Sequence, residues 1–222
     1  MKTSVKTLGI IMDGNRRWAT ARSLPKTDGH KAGLDTLIKT IQWCNDVGIE
    51  DVAFYAFSTE NWKRTKSEVD ALMNLLGYML TEKKSEILKQ DVRVRFVGDL
   101  GKVPKKLRIL ILQIEKETKK HKKTAWVCLS YGGRAEIVEA ARSITGPITE
   151  KKLASHLWTA DMPDLDLIIR TGGNHRLSNF LLWKASYAEL YFTKTTWPAF
   201  TKRSFTSALD WYEKNIQVNK GK

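Results

Sequence analysis

The segment Asp13-Gly14-Asn15-Arg16-Arg17-Trp18 combines residue types that bind anions and metal ions. Glycine lets the backbone approach a ligand closely, and the free N–H groups at a helix start attract negative charge. Arg17 carries a fork of donors that matches phosphate oxygens, and the Asp13 carboxylate is a ligand that Mg²⁺ accepts. A second interpretation stays open, because Asp often caps a helix and Asp-Gly-Asn is typical of turns. Further along, Lys26 and His30 add cations, although a single His is more often an ordinary surface or core residue.

A second segment, residues 57–64, holds a hydroxyl, an amide and a guanidinium group within one short turn, on Ser58, Asn61 and Arg64. These groups can position a diphosphate and polarise it, and Trp62 lies among them. The alternative is a capped loop that leads into the next helix, because connecting loops are also rich in polar residues.

A third segment, residues 170–179, contains two arginines, two adjacent glycines and a serine. Arg170, Arg176 and Ser178 offer the donors from which phosphate-binding loops are built. The segment is not a Walker phosphate loop, since no Gly-Lys-Ser or Gly-Lys-Thr follows the glycines. The chain also lacks a Gly-x-Gly-x-x-Gly motif, which disfavours a nucleotide cofactor.

Each of the three segments follows a short apolar stretch that is typical of a buried strand. Apolar residues at helical spacing indicate amphipathic helices between the strands. Strands are predicted at residues 5–12, 51–57, 92–97, 126–131, 165–169 and 188–192. Four helices are predicted from apolar stripes, which are Leu34-Leu37-Ile38-Ile41 (in a helix over 31–47), Leu72-Leu75-Leu76-Met79-Leu80, Leu107-Leu110-Ile111-Ile114 and Phe205-Leu209-Tyr212-Ile216.

This alternation predicts one α/β domain over residues 1–222, with a central, mostly parallel six-stranded sheet flanked by helices. Ligands of such sheets bind beyond the C-terminal ends of the strands. The three polar segments lie at predicted strand ends, so they are expected to form one site.

The net charge of +14 indicates an anionic partner: nucleic acid, a membrane surface or a phosphorylated small molecule. Nucleic acid is disfavoured, because the arginines sit at several strand ends instead of on one recognition element. The lysines at 102–123 form either a solvated helix face or a face attracted to anionic lipid. Cys44 and Cys128 form no Cys-x-x-Cys motif, and no apolar run approaches a membrane span, so we expect a soluble cytoplasmic protein without a signal peptide.

Seven motifs, in this order along the chain, resemble those of the cis-prenyltransferases, the group that includes undecaprenyl diphosphate synthase. They span almost the whole chain, which makes the set far more specific than any single motif. The motifs are Ile11-Met12-Asp13-Gly14-Asn15 with Arg17-Trp18, Gly29-His30-Lys31-Ala32-Gly33, Tyr55-Ala56-Phe57-Ser58 with Glu60-Asn61-Trp62, Tyr131-Gly132-Gly133-Arg134, Ile169-Arg170-Thr171-Gly172-Gly173, residues 176–183 and Tyr187-Ala188-Glu189-Leu190-Tyr191-Phe192.

The resemblance implies a Mg²⁺-dependent enzyme that condenses isopentenyl diphosphate with an allylic prenyl diphosphate. It also implies a homodimer and a hydrophobic tunnel between sheet and helices in which the product grows. Peripheral membrane contact would deliver that product. The proton acceptor of the condensation stays undecided between Asn61 and a diphosphate oxygen.

The resemblance also assigns roles to single residues. Asp13 would bind the metal and assist ionisation of the allylic diphosphate. Glu189 and His175 would complete either the metal environment, with Glu189 as the second metal ligand, or the dimer-side contacts. The allylic diphosphate would lie among Gly14, Asn15, Arg16, Arg17, Trp18, Lys26 and His30. The diphosphate of isopentenyl diphosphate would be held by Arg170, Arg176 and Ser178. The loop that closes over both substrates would supply Ser58, Asn61, Trp62 and Arg64.

Four departures from the family pattern stand in the sequence. Lys26 replaces the usual Arg and loses its bidentate fork, and Asn174 replaces a frequent acidic residue. The C-terminal Arg-x-Gly is missing, with Asn219-Lys220-Gly221 as its nearest remnant, and the link at residues 144–149 is short.

The alternatives are a non-catalytic accessory subunit of a heteromeric enzyme and a short-chain, branching or cyclising variant. Accessory subunits tend to lose the aspartate motif, which is present here. The bulk of Leu34 and Leu37 leads us to expect a short or medium product, and five residues are candidates for the lining of the tunnel. They are Leu34, Leu37, Leu72, Leu76 and Tyr78.

Overall fold

A six-stranded sheet forms the centre of the molecule in a computed structural model that describes residues 2–219. Every pair of neighbouring strands is parallel, in the order β3-β4-β2-β1-β5-β6. The predicted single α/β domain is confirmed, with the sheet parallel throughout. The strands are β1 (Thr7–Ile11), β2 (Asp51–Ser58), β3 (Arg93–Val97), β4 (Thr124–Tyr131), β5 (Leu167–Arg170) and β6 (Glu189–Phe192).

Helices alternate with these strands, as the apolar stripes predicted. Thr65 caps the third helix by accepting a hydrogen bond from the Glu68 amide at 3.4 Å, and the Thr-x-x-Glu spacing is that of a capping box. The helices are α1 (Asn15–Thr20), α2 (Lys26–Val47), α3 (Lys66–Thr81), α4 (Lys84–Leu88), α5 (Lys105–Thr118), α6 (Gly133–Ser143), α7 (Glu150–Ala154) and α8 (Lys202–Asn219), and short 3₁₀ turns cover Thr59–Lys63, Leu100–Lys102 and Trp197–Ala199.

Apolar side chains bury the sheet on both faces, which explains why its strands are almost continuously hydrophobic. On one face, α2, α3, α5 and α8 pack against strand residues such as Phe54 and Val127 in the larger core. On the other face, the segments at 157–165 and 177–188 cover Trp126, Cys128 and Ile168. Cys44 and Cys128 are buried free thiols.

Helix α2 begins at Lys26, five residues before its predicted start. Glycine is a poor helix former, so the sequence around Gly29 was interpreted as a loop. In the fold, Gly29 lies against α1 so closely that a Cβ would stand 2.1 Å from the carbonyl oxygen of Asn15. The contact with α1 therefore requires glycine inside the helix and overrides its low propensity.

Within residues 2–219, no helix is long and apolar enough to cross a membrane.

Candidate active site

Three parallel strands deliver the predicted segments to one edge of the sheet. Ile11, at the end of β1, pairs with Arg170, at the end of β5, and β2 lies on the other side of β1 and ends at Ser58. Asp13 follows β1 directly. The chemistry-bearing residues predicted at separate points in the sequence therefore converge, as expected for a parallel sheet.

The Asp13 carboxylate lies between three donors. Its Oδ2 accepts hydrogen bonds from Asn174 Nδ2 at 2.7 Å and Arg170 Nη2 at 3.1 Å, and its Oδ1 accepts one from Arg17 Nη2 at 3.1 Å. Partial burial works to raise the pKa of Asp13, but the hydrogen bonds from Asn174 and Arg170 outweigh it and hold the pKa below its ordinary value. Asp13 is therefore ionised at neutral pH.

Asp13 does not cap a helix, so the capping alternative is wrong. Helix α1 starts after Gly14, which is in the left-handed conformation, and no side chain caps it. The Asp13 backbone is tied elsewhere: its carbonyl accepts from Thr171 Oγ1 at 2.8 Å and from the Trp197 amide at 2.9 Å. Sequence reasoning missed Thr171 and Trp197, because both lie far from Asp13 along the chain. The register of β1 against β5, which brings Thr171 beside Asp13, has no signal in the sequence.

Arg170 is the most deeply buried cation at the site, with 5% of its side chain exposed. Its Nη1 donates to Ser178 Oγ at 2.7 Å and to the Arg176 carbonyl oxygen, and Arg176 Nε also approaches Ser178 Oγ, at 3.3 Å. The buried Nε of Arg170 has no partner among the residues that the structure describes. An unused buried donor beside Arg176 fits an anionic oxygen such as that of a diphosphate.

The segment at 57–64 forms the 3₁₀ turn Thr59–Lys63, and here the capping alternative is confirmed. The Ser58 side chain accepts from the Asn61 backbone, and Asn61 Oδ1 accepts from the Ser58 amide at 3.1 Å. Trp62 is held by a hydrogen bond from its Nε1 to Ser130 Oγ at 2.9 Å. Capping does not exclude a role at the site, because Asn61 and Arg64 also line the cavity beside it.

An apolar cavity of about 200 Å³ lies between the sheet and helices α2 and α3, beside the turn that carries Asn61. Asn15, His30 and Arg64 line its polar mouth. Four of the five predicted tunnel residues line its interior, whereas Tyr78 lies on an adjoining outer cleft of about 490 Å³. The interior residues are Leu34, Leu37, Leu72 and Leu76, with Met73 and Met79.

His30 is neutral at pH 7 in this environment. Burial, together with the charges of Arg64 and Arg16, lowers the pKa of His30 to about 4. A neutral imidazole can donate one hydrogen bond to a diphosphate at the cavity mouth without carrying a charge of its own.

The other predicted cations line the outer cleft, not the cavity itself. Lys26 and Arg16 lie there, and Arg16 pairs with Glu68 at 2.9 Å. Trp18 lines neither space, and its ring instead stacks under the Arg22 guanidinium group, 4.4 Å from the ring centroid.

A family model described as putative undecaprenyl diphosphate synthase matches residues 11–218. The chain belongs to the undecaprenyl diphosphate synthase family. It is therefore an isoprenyl-transferring enzyme of the cis-prenyltransferase type, and the resemblance seen in the sequence is confirmed.

Named relatives in this family cover nearly the whole chain. An isoprenyl transferase of Helicobacter pylori is 42% identical, over 98% of this chain and 97% of the relative. A trans,polycis-polyprenyl diphosphate synthase of Thermobifida fusca, specific for (2Z,6E)-farnesyl diphosphate, is 42% identical over 92% of this chain and 77% of its own. The crystal structure of lavandulyl diphosphate synthase from Lavandula x intermedia, in complex with dimethylallyl diphosphate, superposes with a TM-score of 0.88 at 32% identity and covers 94% of this chain and 95% of its own.

Within this cis-prenyltransferase chain, Glu189 does not lie near Asp13. Glu189 pairs with Leu167 at the first position of β5, whereas Arg170 and Asp13 lie at the opposite end of the strands. The position of Glu189 near Tyr212 fits this, because Glu189 is one of the charges that raise the pKa of Tyr212, after the larger effect of burial. His175 is on the site side, stacked on Phe192 at 4.9 Å.

The donor set fits a metal held by one protein carboxylate. Residues 2–219 contain no cluster of three or more His, Cys, Asp or Glu side chains that could form a complete metal site. Mg²⁺ typically binds one or two carboxylates and takes its remaining ligands from substrate phosphates and water. The ionised, half-buried Asp13, which lies in the chain between the cavity-lining residues Met12 and Asn15, matches that pattern.

The structure shows the surroundings of two of the residues that depart from the family pattern. Asn174 was interpreted as the loss of a charge beside the second diphosphate; the structure shows that its amide donates directly to Asp13. Lys26 begins α2 at the outer cleft. The remnant of the Arg-x-Gly motif includes Lys220 and Gly221, which lie outside the described residues.

Proposed function

We propose that this prenyltransferase condenses isopentenyl diphosphate with an allylic prenyl diphosphate, in the presence of Mg²⁺, to give a Z-configured prenyl or polyprenyl diphosphate. The observation that carries the proposal is the position of Asp13. This carboxylate accepts a hydrogen bond from Arg170, which also binds Ser178, and it lies in the chain between Met12 and Asn15, which both line the apolar cavity. The names of the Thermobifida relative and the lavandulyl structure support prenyl diphosphate substrates.

Two diphosphates have separate places in this arrangement. Arg170, Arg176 and Ser178 would hold that of isopentenyl diphosphate, with the unused Arg170 Nε as a further donor. Asn15 and His30, at the cavity mouth, would orient the allylic diphosphate so that its hydrocarbon tail enters the cavity. The tail would be sheltered from water among leucines and methionines.

The chemistry follows from this placement. The C1–O bond of the allylic substrate breaks, and the fixed guanidinium groups stabilise the departing diphosphate. When bound by Asp13, Mg²⁺ neutralises part of the diphosphate charge and so promotes ionisation. The double bond of isopentenyl diphosphate then forms the new C–C bond to C1, and the loss of one proton leaves a cis double bond.

We assign the proton to a diphosphate oxygen, which decides between the two acceptors considered above. The Oδ1 of Asn61 already accepts a hydrogen bond from the Ser58 amide at 3.1 Å. An amide oxygen is also a much weaker base than a diphosphate. Asn61 is better suited to orient a substrate through its NH₂ group, which is a donor.

The activity is tested by incubating the purified chain with labelled isopentenyl diphosphate, Mg²⁺ and each allylic primer in turn, and by sizing and identifying the products. Labelled prenyl product that disappears with EDTA is expected. An absence of product with every primer would favour the accessory-subunit alternative, and a branched or cyclic product would favour the variant enzymes.

A homodimer is proposed as well, because β6 is an edge strand and Tyr187 beside it is 95% exposed. A single-chain mass by light scattering would contradict the homodimer.

Product length is expected to be set by the leucines inside the cavity. Leu37 is buried and lines it, so Leu37→Ala removes bulk and should lengthen the product by one or more isoprene units. The substitution should also lower the free energy of unfolding by about 2–4 kcal/mol. Leu80→Ala is the matched control, because Leu80 is also buried, in α3, but does not line the cavity. Unchanged product sizes in Leu37→Ala would contradict the tunnel.

We further propose peripheral contact with anionic membrane through the outer face of α5, in the cytoplasm. Residues 102–123 contain nine Lys and Arg but two Glu, a net charge of +7. Both glutamates are bound within the molecule, Glu115 to the Phe96 amide and Glu117 to Lys84. Ile109 and Leu112 are 58% and 65% exposed on the same helix. A basic face with exposed aliphatic residues is typical of interfacial helices, whereas nucleic acid would not require the aliphatic residues.

Sedimentation with vesicles tests this face. The chain should bind phosphatidylglycerol vesicles at low salt and not neutral phosphatidylcholine vesicles. Ile109→Ser with Leu112→Ser should weaken that binding about tenfold, because less apolar surface enters the interface. Ile148→Ser is the control, since Ile148 is equally exposed outside α5. No binding of the wild type at low salt would overturn the proposal.

A further inference from the structure

The loop that carries Ser178 has an unusual backbone. Ser178 and Asn179 have φ angles of 51° and 68°, in the left-handed region that residues other than glycine rarely adopt. Such conformations persist where surrounding contacts over-determine them, and they concentrate at functional sites. The contacts that hold this loop are therefore informative.

Asn179 binds to two other elements at once. Its Oδ1 accepts a hydrogen bond from the Arg134 amide at 2.9 Å, and its carbonyl oxygen accepts one from the Gly133 amide at 2.8 Å. These two bonds join the loop to the first residues of α6. Its Nδ2 points the other way and donates to Glu60 Oε1 at 2.9 Å.

Glu60 lies in the 3₁₀ turn next to Asn61 and Trp62. Asn61 lines the cavity, and Trp62 donates a hydrogen bond to Ser130. Burial works against the ionisation of Glu60, but hydrogen bonds from its own backbone and from Asn179 outweigh it and hold the pKa of Glu60 below its ordinary value. The Asn179–Glu60 bond is therefore charge-assisted.

The junction is too tight for a side chain at Gly132. A Cβ on Gly132 would stand 2.5 Å from Thr59 Oγ1 and 2.8 Å from Asn179 Nδ2. The absence of a side chain lets the turn and the loop approach each other. Sequence, backbone conformation and hydrogen bonding thus agree on a closed three-way junction behind the site.

We infer that Asn179 and Glu60 are positioning residues whose hydrogen bond fixes the turn carrying Asn61 against the loop carrying Ser178. This inference rests on the proposed function, in which the two segments hold opposite sides of one reaction centre. Misplacement of such groups by about 1 Å can cost two orders of magnitude in rate. The bond acts on the geometry of the reacting pair through Asn61 and Ser178.

The test is a charge-matched rescue. Asn179→Asp replaces the donor by an acceptor facing Glu60 and keeps the Oδ1 acceptor for Arg134. We expect kcat to fall about tenfold, with KM for both substrates changed less than about threefold. Glu60→Gln alone should lower kcat by less than about threefold, because the glutamine oxygen still accepts from Asn179 although the bond loses its charge assistance. The double variant Asn179→Asp with Glu60→Gln should recover kcat to within about threefold, because the introduced amide can donate to the introduced carboxylate.

A second measurement does not depend on activity. Hydrogen exchange of the amides at 59–64 should accelerate in Asn179→Asp and return to the wild-type rate in the double variant. Wild-type exchange and wild-type kcat in Asn179→Asp would overturn the inference, and so would strictly additive effects without rescue. An inactive wild type with the expected exchange pattern would instead count against the proposed function alone.

Discussion

We expect Asp13→Asn to lower kcat about 10³-fold while the protein stays folded. The substitution keeps the size of the side chain and one acceptor for Asn174 or Arg170, but it removes the negative charge that these two donors stabilise. Loss of a preorganised electrostatic group at a reaction centre typically costs about 10²–10³-fold in rate. The measurement is steady-state turnover with saturating substrates over a range of Mg²⁺ concentrations.

The metal dependence separates a ligand from a merely structural residue. If Asp13 holds Mg²⁺ together with substrate diphosphate, the Mg²⁺ concentration for half-maximal rate should rise in Asp13→Asn. The cost to the free energy of unfolding should stay below about 2 kcal/mol, because Arg170 keeps Ser178 and the Arg176 carbonyl as partners. Asp70→Asn, on the exposed side of α3, is the control. A near-wild-type rate in Asp13→Asn would remove the metal assignment.

The strands and the long helices were predictable because their signals are local. Apolar stretches marked all six strands, and stripes at helical spacing marked α2, α3, α5 and α8. Helices α4 and α7 are only five residues long and too short to show a stripe. Helix α6 also lacked a clear apolar stripe. The Asn179 contacts that hold its first residues come from 45 positions away, so no local pattern shows them.

The site was predictable as far as the topology carries it. Parallel strands bring their C-terminal ends together, so Asp13 and Arg170 were expected to meet. Contacts that depend on strand register and loop conformation could not be predicted from the sequence. Two examples are the hydrogen bond from Thr171 to Asp13 and the one from Asn179 to Glu60. The placement of Glu189 at the far end follows from the β5–β6 register, which no residue pattern encodes.

Arg170→Ala is expected to raise KM for isopentenyl diphosphate about 100-fold while KM for the allylic substrate changes less than about threefold. Arg170 supplies Nη1 to Ser178 and holds an unused Nε beside it, so its loss removes donors from the diphosphate of isopentenyl diphosphate. The loss of its Nη2 bond to Asp13 should lower kcat and not raise KM for the allylic substrate. A charge-assisted hydrogen bond contributes about 1.5–3 kcal/mol, and about 2.7 kcal/mol corresponds to about 100-fold in KM. Substrate titrations with each substrate varied in turn give the two constants.

Arg170→Lys separates charge from geometry in the same experiment. Lysine keeps the positive charge beside Asp13 but cannot donate to Ser178, Asp13 and a diphosphate oxygen from one planar fork. Its KM for isopentenyl diphosphate should therefore lie between those of the wild type and Arg170→Ala, about tenfold above wild type. Arg142→Ala, an exposed arginine on α6, controls for the loss of a cation elsewhere. If both KM values rose together in parallel with a lower thermal midpoint, Arg170 would be a structural residue; a selective rise places the isopentenyl diphosphate on the β5 side of Asp13.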